Sequence, residues 1–136
     1  MTDCIFCRII NGTQPGIRLY EDKKTVAILD IYPIAKGHTL VIPKVHSRNL
    51  FDIQEEDISA VGVTISRVAN VLKQVLHCDG INILQGNEKA ALQEIYHTHF
   101  HILPRWFNDK IIFGAQRERL KEDPELISAL KQGFLQ

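Results

Sequence analysis

The chain is poor in cysteine and proline, carries no net charge and contains no long hydrophobic run. Its 136 residues include three cysteines and five prolines, and 16 basic side chains are matched by 16 acidic ones. Zero net charge without a basic run predicts no positively charged surface that would bind nucleic acid or an anionic membrane. No segment has the length and apolarity of a membrane span or of a secretory signal. We therefore expect a cytoplasmic protein that binds neither nucleic acid nor membrane.

The few cysteines exclude a disulfide framework, because a bond between Cys4 and Cys7 would join residues too close in the chain to stabilise a fold. Their Cys-x-x-Cys spacing has three interpretations: a redox dithiol, two free thiols, or half of a zinc site. A redox dithiol needs a preceding strand, and no strand pattern precedes Cys4. Free thiols need no further partner, whereas zinc needs two more ligands from elsewhere in the chain.

What is present is the pattern of one globular α+β domain, with 45% hydrophobic and 24% charged residues. Apolar residues at 58, 61, 65, 68, 72 and 75 predict one face of a long helix, whose first turn has the capping-box pair Asp52 and Glu55. Asp123 and Pro124 predict the start of a C-terminal helix. We therefore expect a five-stranded, mainly antiparallel sheet with these two helices. The strands are predicted at 17–21, 25–31, 38–42, 81–84 and 97–103.

The last of these strands has the most unusual pattern, with histidines at 97, 99 and 101. Successive side chains of a strand point to opposite faces, so these three imidazoles would form a row with steps of about 7 Å. Thr98, Phe100 and Ile102 would face the core. The long helix would cover one sheet face, and the histidine row would lie open to a ligand on the other.

Two chemistries suit this row, and the third interpretation is a solvated strand face whose histidines have no role. Its imidazoles could bind a catalytic zinc, or one of them could attack an electrophile while the others orient it and bind the charge. Zinc on all three histidines would leave Cys4 and Cys7 without a role. A closed Cys2His2 site of Cys4, Cys7, His46 and His97 would instead use every unusual residue and free His99 and His101 for chemistry. The spacing permits this grouping without requiring it.

Four segments resemble the histidine triad (HIT) family of nucleotide hydrolases and transferases. They are Cys4–Ile10, Leu29–Ile31, Gly37–Lys44 and His97–Leu103, the last with the family's His-φ-His-φ-His-φ-φ pattern. Together they cover residues 4 to about 105 in the family's order. We accordingly expect one HIT-like domain over 1–136, with the motif-bearing core at about 4–105 and an extension with a helix at 106–136.

The resemblance implies a homodimer with a continuous ten-stranded sheet and a purine nucleoside monophosphate on the open sheet face. His99 would attack the α-phosphorus, and a protonated His101 would bind the phosphate, with His38 beside the row. Asp30 would hold the ribose hydroxyls, although the same acid could simply initiate a turn. Asn87 and Gln93 would hydrogen-bond the phosphate or bridging atom. The base pocket would be walled by Phe6, Ile9, Ile28, Ile31 and Leu40.

In some family members zinc sits on positions equivalent to Cys4, Cys7, His46 and His97, so the resemblance favours structural zinc and no organic cofactor. It also implies a hydrolase that cleaves purine nucleoside phosphoramidates or related adenylylated compounds. The transferase branch has glutamine where this chain has His101. The alternatives are a dinucleoside polyphosphate hydrolase and a nucleotide-binding or interaction protein with weak turnover.

The loop before the triad departs from the family in two positions. Many members have Ala-Gly-Gln followed by Ser or Thr, whereas this chain reads Ala91-Leu92-Gln93-Glu94. Leu92 should stiffen the loop, since it replaces a flexible glycine. Glu94 could protonate the leaving group if its pKa were raised, or it could point away from the site.

Overall fold

The described residues form one sheet of five antiparallel strands, as expected from the sequence. The computed structural model describes residues 3–112 and 123–135. The predicted α+β class is confirmed. The helices are α1 (Ile5–Ile10), α2 (Glu55–Leu76) and α3 (Pro124–Gly133). The strands are β1 (Arg18–Glu21), β2 (Thr25–Leu29), β3 (Thr39–Pro43), β4 (Gly80–Leu84) and β5 (Phe100–Arg105). In the sheet the strands lie in the order β1-β2-β3-β5-β4.

Strand alternation divides the core between the two faces of the sheet. Ala27, Val41 and Ile102 are fully buried and pack against α2, where Val61, Val68 and Leu72 supply the apolar stripe. The opposite face presents Val26, Ile28, Leu40 and Ile42 to Phe6 and Ile9 of α1. This short helix therefore completes a second apolar layer, at whose edge the histidine segment lies.

The helix predictions are confirmed in extent but not in every detail. Asp52 does not cap α2: its carboxylate accepts hydrogen bonds from the amides of Arg48 and Asn49, and Gln54 occupies the cap position. The capping-box prediction was wrong because these amides of the preceding turn compete for the same side chain. Val75 is also exposed, so the buried stripe ends at Leu72.

The strand at the histidines is shorter than predicted. β5 begins at Phe100, so His97 and His99 precede it in irregular backbone, and only His101 belongs to the strand. β2 likewise ends at Leu29 rather than at Ile31. Within the described ranges, no helix is long and apolar enough to span a lipid bilayer.

Candidate active site and metal cluster

A cavity of about 480 Å³ opens between α1, the end of β2 and the histidine segment. This volume is in the range of small-ligand sites. All five residues expected to wall a base pocket line it, namely Phe6, Ile9, Ile28, Ile31 and Leu40. His99, His101, His38 and Asp30 line the same cavity. The structure thus brings together an apolar wall and a polar group of imidazoles in one cavity.

One ring nitrogen of His99 is hydrogen-bonded to the backbone, and the other is available to react. Its Nδ1 lies 2.7 Å from the carbonyl oxygen of His97, and a carbonyl can only accept, so Nδ1 carries the proton. The lone pair of neutral His99 is therefore on Nε2. The ring packs edge-on against Phe6 and His101, with centroid separations of 5.0 and 5.1 Å.

A chain of hydrogen bonds also determines the tautomer of His101. The amide of Ile34 donates to Nδ1 of His38 over 3.1 Å, so His38 is protonated on Nε2. That Nε2–H donates to Nδ1 of His101 over 2.9 Å. A neutral His101 consequently keeps its proton on Nε2 and can donate it to a ligand.

The imidazoles of the cavity favour the neutral form. Burial lowers the pKa of His99, and burial followed by the neighbouring His38 lowers the pKa of His101. Burial lowers the pKa of His38 as well, against the raising effect of Asp30. The expectation of a protonated His101 is therefore revised: the ring offers a neutral N–H donor instead of a positive charge.

Asp30 makes the turn contact that was one of its two expected uses, and it faces the cavity where the other would be made. Its Oδ1 accepts a hydrogen bond of 2.8 Å from the amide of Tyr32, which is the turn-forming contact. Its Oδ2 lies 3.5 Å from Nε2 of His38. Each carboxylate oxygen has two acceptor sites, so the side chain keeps capacity for a ligand.

Gln93 and Asn87 do not line the cavity. The Gln93 amide donates to the carbonyls of Arg48 and Ile95 and accepts from Asn49 and the Glu88 amide. Asn87 accepts from the Leu50 amide and exchanges hydrogen bonds with Gln85. Both side chains therefore support the loop before the triad instead of contacting the ligand position in this conformation.

Sequence reasoning missed the clamp that holds this loop. Arg48 makes two 2.8 Å bonds to Glu88 and lies 4.1 Å over the ring of Tyr96. Asn49, which is 1% exposed, donates to both Glu88 and Gln93. The partners are about forty residues apart in the chain, and no local pattern reveals such a pairing.

A second cluster brings together the four residues proposed for zinc. Cys4, Cys7, His46 and His97 have ligand atoms within 4.8 Å of one another. Nδ1 of His97 lies 3.3 Å from Sγ of Cys4, 3.5 Å from Sγ of Cys7 and 3.0 Å from Nδ1 of His46. Tetrahedral zinc with Zn–S of about 2.3 Å and Zn–N of about 2.0 Å requires ligand separations of roughly 3.3–3.6 Å between such atoms.

The hydrogen bonding of His97 also suits a metal ligand. Its Nε2–H donates to the carbonyl of Pro43 over 2.8 Å, which leaves the lone pair of Nδ1 facing the thiols. Burial lowers the pKa of His97 to about 4, against the raising effect of that hydrogen bond. The ring is therefore neutral, as metal binding requires.

The comparisons with known proteins agree with this geometry. The HIT domain matches residues 11–108. Adenosine 5'-monophosphoramidase HNT1 of Saccharomyces cerevisiae is 43% identical over 75% of the chain and 62% of its own length. Adenylylsulfatase HINT3 of Arabidopsis thaliana is 35% identical over 96% of the chain and 68% of its own length. A zinc-bound histidine triad family protein of Mycobacterium smegmatis is 40% identical, with a TM-score of 0.78 over 96% of the chain and 94% of its own.

Proposed function

The chain belongs to the HIT family, and from that premise we propose that it is a nucleotide hydrolase that cleaves purine nucleoside phosphoramidates or related adenylylated compounds. The observation that carries this proposal is His99, whose Nδ1–H is bound to a backbone carbonyl at the polar end of the cavity. Neutral imidazole is an effective nucleophile near pH 7. Relatives named as an adenosine 5'-monophosphoramidase and an adenylylsulfatase support the substrate class.

The reaction proceeds in two displacements. Nε2 of His99 attacks the α-phosphorus, forming an N–P bond as the bond to the leaving nitrogen breaks. Water then attacks phosphorus and breaks the bond to His99, which releases the nucleoside monophosphate. The departing amine takes up a proton from solvent in the first step, and the attacking water releases one in the second, so the two steps together consume one water molecule. The covalent intermediate divides one difficult displacement into two easier ones.

His101 donates its Nε2–H to a non-bridging phosphate oxygen in this scheme. A neutral donor aimed at that oxygen stabilises charge that develops as phosphorus is attacked. His38 is a positioning residue, because its Nε2–H fixes the tautomer of His101. Asp30 accepts hydrogen bonds from the ribose, and the apolar wall packs on the base, with Phe6 and Ile9 on the side of α1.

We propose that Cys4, Cys7, His46 and His97 hold one structural zinc ion. The ion would stabilise the fold by joining α1, the loop after β3 and the start of the histidine segment. It takes no part in the displacement. The zinc-bound relative supports this assignment, as do the sulfur–nitrogen separations of 3.3–3.5 Å between the cysteines and the histidines.

We also propose a single domain that forms a homodimer through β4. Within the described chain, this edge strand pairs only with β5. Ile83 of β4 is 42% exposed, and Val63, Val71 and Val75 of α2 are more than half exposed. A second copy that adds its own β4 would pair the open edge and cover such apolar side chains.

The experiment that tests the proposed function is trapping of the intermediate. Wild-type protein mixed with adenosine 5'-phosphoramidate and quenched under alkaline conditions should gain the mass of one adenylyl group, located on His99 by peptide mapping. His99→Asn should form no adduct and lose kcat/KM by a factor of about 10³ or more.

The matched control is His77→Asn, because His77 is an exposed histidine at the end of α2 and does not line the cavity. This variant should form the adduct at the wild-type rate. Nucleotide binding without adduct or product would overturn the proposal in favour of a binding protein. Product formation without an adduct in wild type would overturn the covalent route.

A further inference from the structure

The cavity that holds the histidines has an unbalanced charge. Among the described residues that line it are two carboxylates, Asp30 and Glu94, and no lysine or arginine. Most enzymes that expel a phosphate or sulfate group provide cations for its developing charge. This lining offers no such cation within the described chain, so a polyanionic leaving group would meet a carboxylate instead.

Glu94 lies on the boundary between this cavity and a second one. The second cavity, of about 450 Å³, is lined by Glu94, Asp3, Ile5, Ile95 and Tyr96, together with Cys4 and His46 of the proposed zinc cluster. It too has no lysine or arginine among its described lining residues. A group leaving the phosphorus near His99 can therefore extend along Glu94 toward a further acidic side chain.

Leu92 adds an apolar surface to the first cavity beside Glu94. Its side chain is 86% exposed and lines the first cavity beside Glu94. Its φ of 68° lies in the left-handed region that a branched residue adopts at a cost of about 1–2 kcal/mol. The Gln93 side chain holds this backbone in place, since it accepts a hydrogen bond from the Glu88 amide and donates one to the Arg48 carbonyl. This part of the cavity wall thus combines an exposed aliphatic side chain with a negative charge.

We propose, resting on the proposed function, that Leu92 and Glu94 form a leaving-group subsite that selects phosphoramidates whose amine carries a second positive charge at the end of a short alkyl chain. The alkyl chain would pack on Leu92, and the distal ammonium would pair with Glu94. Leaving groups that carry phosphate, sulfate or carboxylate are repelled, so the subsite narrows the proposed substrates and separates this chain from the relative named an adenylylsulfatase. The proposal thereby disfavours dinucleoside polyphosphates as substrates.

Three adenosine 5'-phosphoramidates of equal chain length test this preference. Their amines are 1,4-diaminobutane, butylamine and 4-aminobutanoate, which present a cationic, a neutral and an anionic end. Wild type should prefer the cationic over the neutral probe by about fivefold in kcat/KM, the factor for a solvent-screened charge pair about 4 Å apart. The neutral probe should exceed the anionic one by a similar factor. The difference should lie in KM, and it should shrink at high salt.

Glu94→Gln should bring the three kcat/KM values together, and Glu94→Lys should reverse their order. Glu55→Gln is the matched control, since Glu55 is an exposed carboxylate at the start of α2 and lines neither cavity. It should retain the wild-type preference. Leu92→Gly should lower kcat/KM for both the cationic and the neutral probe, because both carry the alkyl chain.

Equal rates for all three probes in wild type, with the His99 adduct still formed, would overturn the subsite and leave the proposed function standing. A preference that Glu94→Gln leaves unchanged would overturn the role of Glu94. Failure of wild type to hydrolyse any probe or to form an adduct would overturn the proposed function and the subsite together.

Discussion

At the residue scale, the hydrogen-bond partner of each histidine decides what its ring can do. His97 donates to a backbone carbonyl and turns its free nitrogen toward two thiols. His99 donates to the carbonyl of His97 and turns its free nitrogen away from that bond. His101 accepts from His38 and keeps a proton to donate. Three residues of one type are thus a metal-ligand candidate, a nucleophile candidate and a donor candidate.

Asp22 offers a test of electrostatics at a single residue. Burial opposes its charge, but the Lys24 amide, the Tyr20 hydroxyl and the Thr25 amide and hydroxyl outweigh that effect and lower its pKa from 3.8 to about 2. A depressed pKa in the folded state stabilises the fold above pH 3.8 and loses that effect as pH falls toward 2.

We therefore expect Asp22→Asn to lower the free energy of unfolding by about 1 kcal/mol at pH 7, after allowance for solvent screening. The difference from wild type should shrink as pH falls below 4. Urea unfolding of both proteins at pH 7, 4 and 3 measures it. A difference that stays constant over this range would contradict the assigned role of the carboxylate.

At the element scale, Gly37 sets the position of the turn that leads into β3. Its φ is 82°, and an added Cβ would lie 2.5 Å from Cδ1 of Leu76 and 3.3 Å from Cγ of Pro104. The turn therefore packs directly on the end of α2 and on β5. His38 follows it immediately, so this packing also positions the hydrogen bond from His38 to His101.

We expect Gly37→Ala to lower the free energy of unfolding by about 2–3 kcal/mol, since it adds a steric clash to the cost of positive φ. Gly12→Ala is the matched control: Gly12 has a φ of 86° but no atom within 4 Å of an added Cβ. It should cost about 1 kcal/mol. Equal losses in urea unfolding would contradict the packing role of Gly37.

The element scale also shows where periodicity misleads. Alternating histidines predict a strand from residue 97, yet β5 starts at Phe100. The backbone before Phe100 makes its hydrogen bonds outside the sheet, and the His97 carbonyl accepts from the His99 ring. The Thr98 amide donates to the Ser47 carbonyl instead of joining the sheet ladder. The alternation of side chains survives, since Thr98 and Ile102 are fully buried while His99 and His101 line the cavity.

At the scale of the whole molecule, the cysteine cluster joins residues that are 90 and 93 positions apart in the chain. Protein purified without chelator should contain about one zinc per chain, and its removal should lower Tm by about 5–10 °C. Cys4→Ala should lose the metal. Cys78→Ala is the matched control, because Cys78 is a buried free cysteine outside the cluster. Metal-free protein with readily alkylated Cys4 and Cys7 would contradict the zinc site.

The homodimer is tested at the two opposite edges of the sheet. Ile83→Asp on β4 should shift the protein to monomers in sedimentation velocity, since it buries a charge at the proposed interface. Leu19→Asp on β1 is the matched control: Leu19 is 49% exposed on the other edge strand. It should leave the oligomeric state unchanged. A monomeric wild type, or an Ile83→Asp dimer of unchanged affinity, would contradict the interface.

The amino-acid sequence was sufficient to predict the α+β class, the number of strands, the long helix and the segment that carries the histidines. These depend on local periodicity and composition, which any stretch of chain displays. It also supplied the candidate base-pocket residues, since family motifs stand at fixed positions in the chain.

The packed chain was needed to show how the polar groups divide their hydrogen bonds. The tautomers of His38 and His101, the support of the loop by Gln93 and the boundary position of Glu94 all depend on atoms from distant segments. Burial lowered the pKa of His101, where sequence reasoning had expected a cation. Solvation and long-range hydrogen bonding are properties of the packed chain, and no local pattern of residues encodes them.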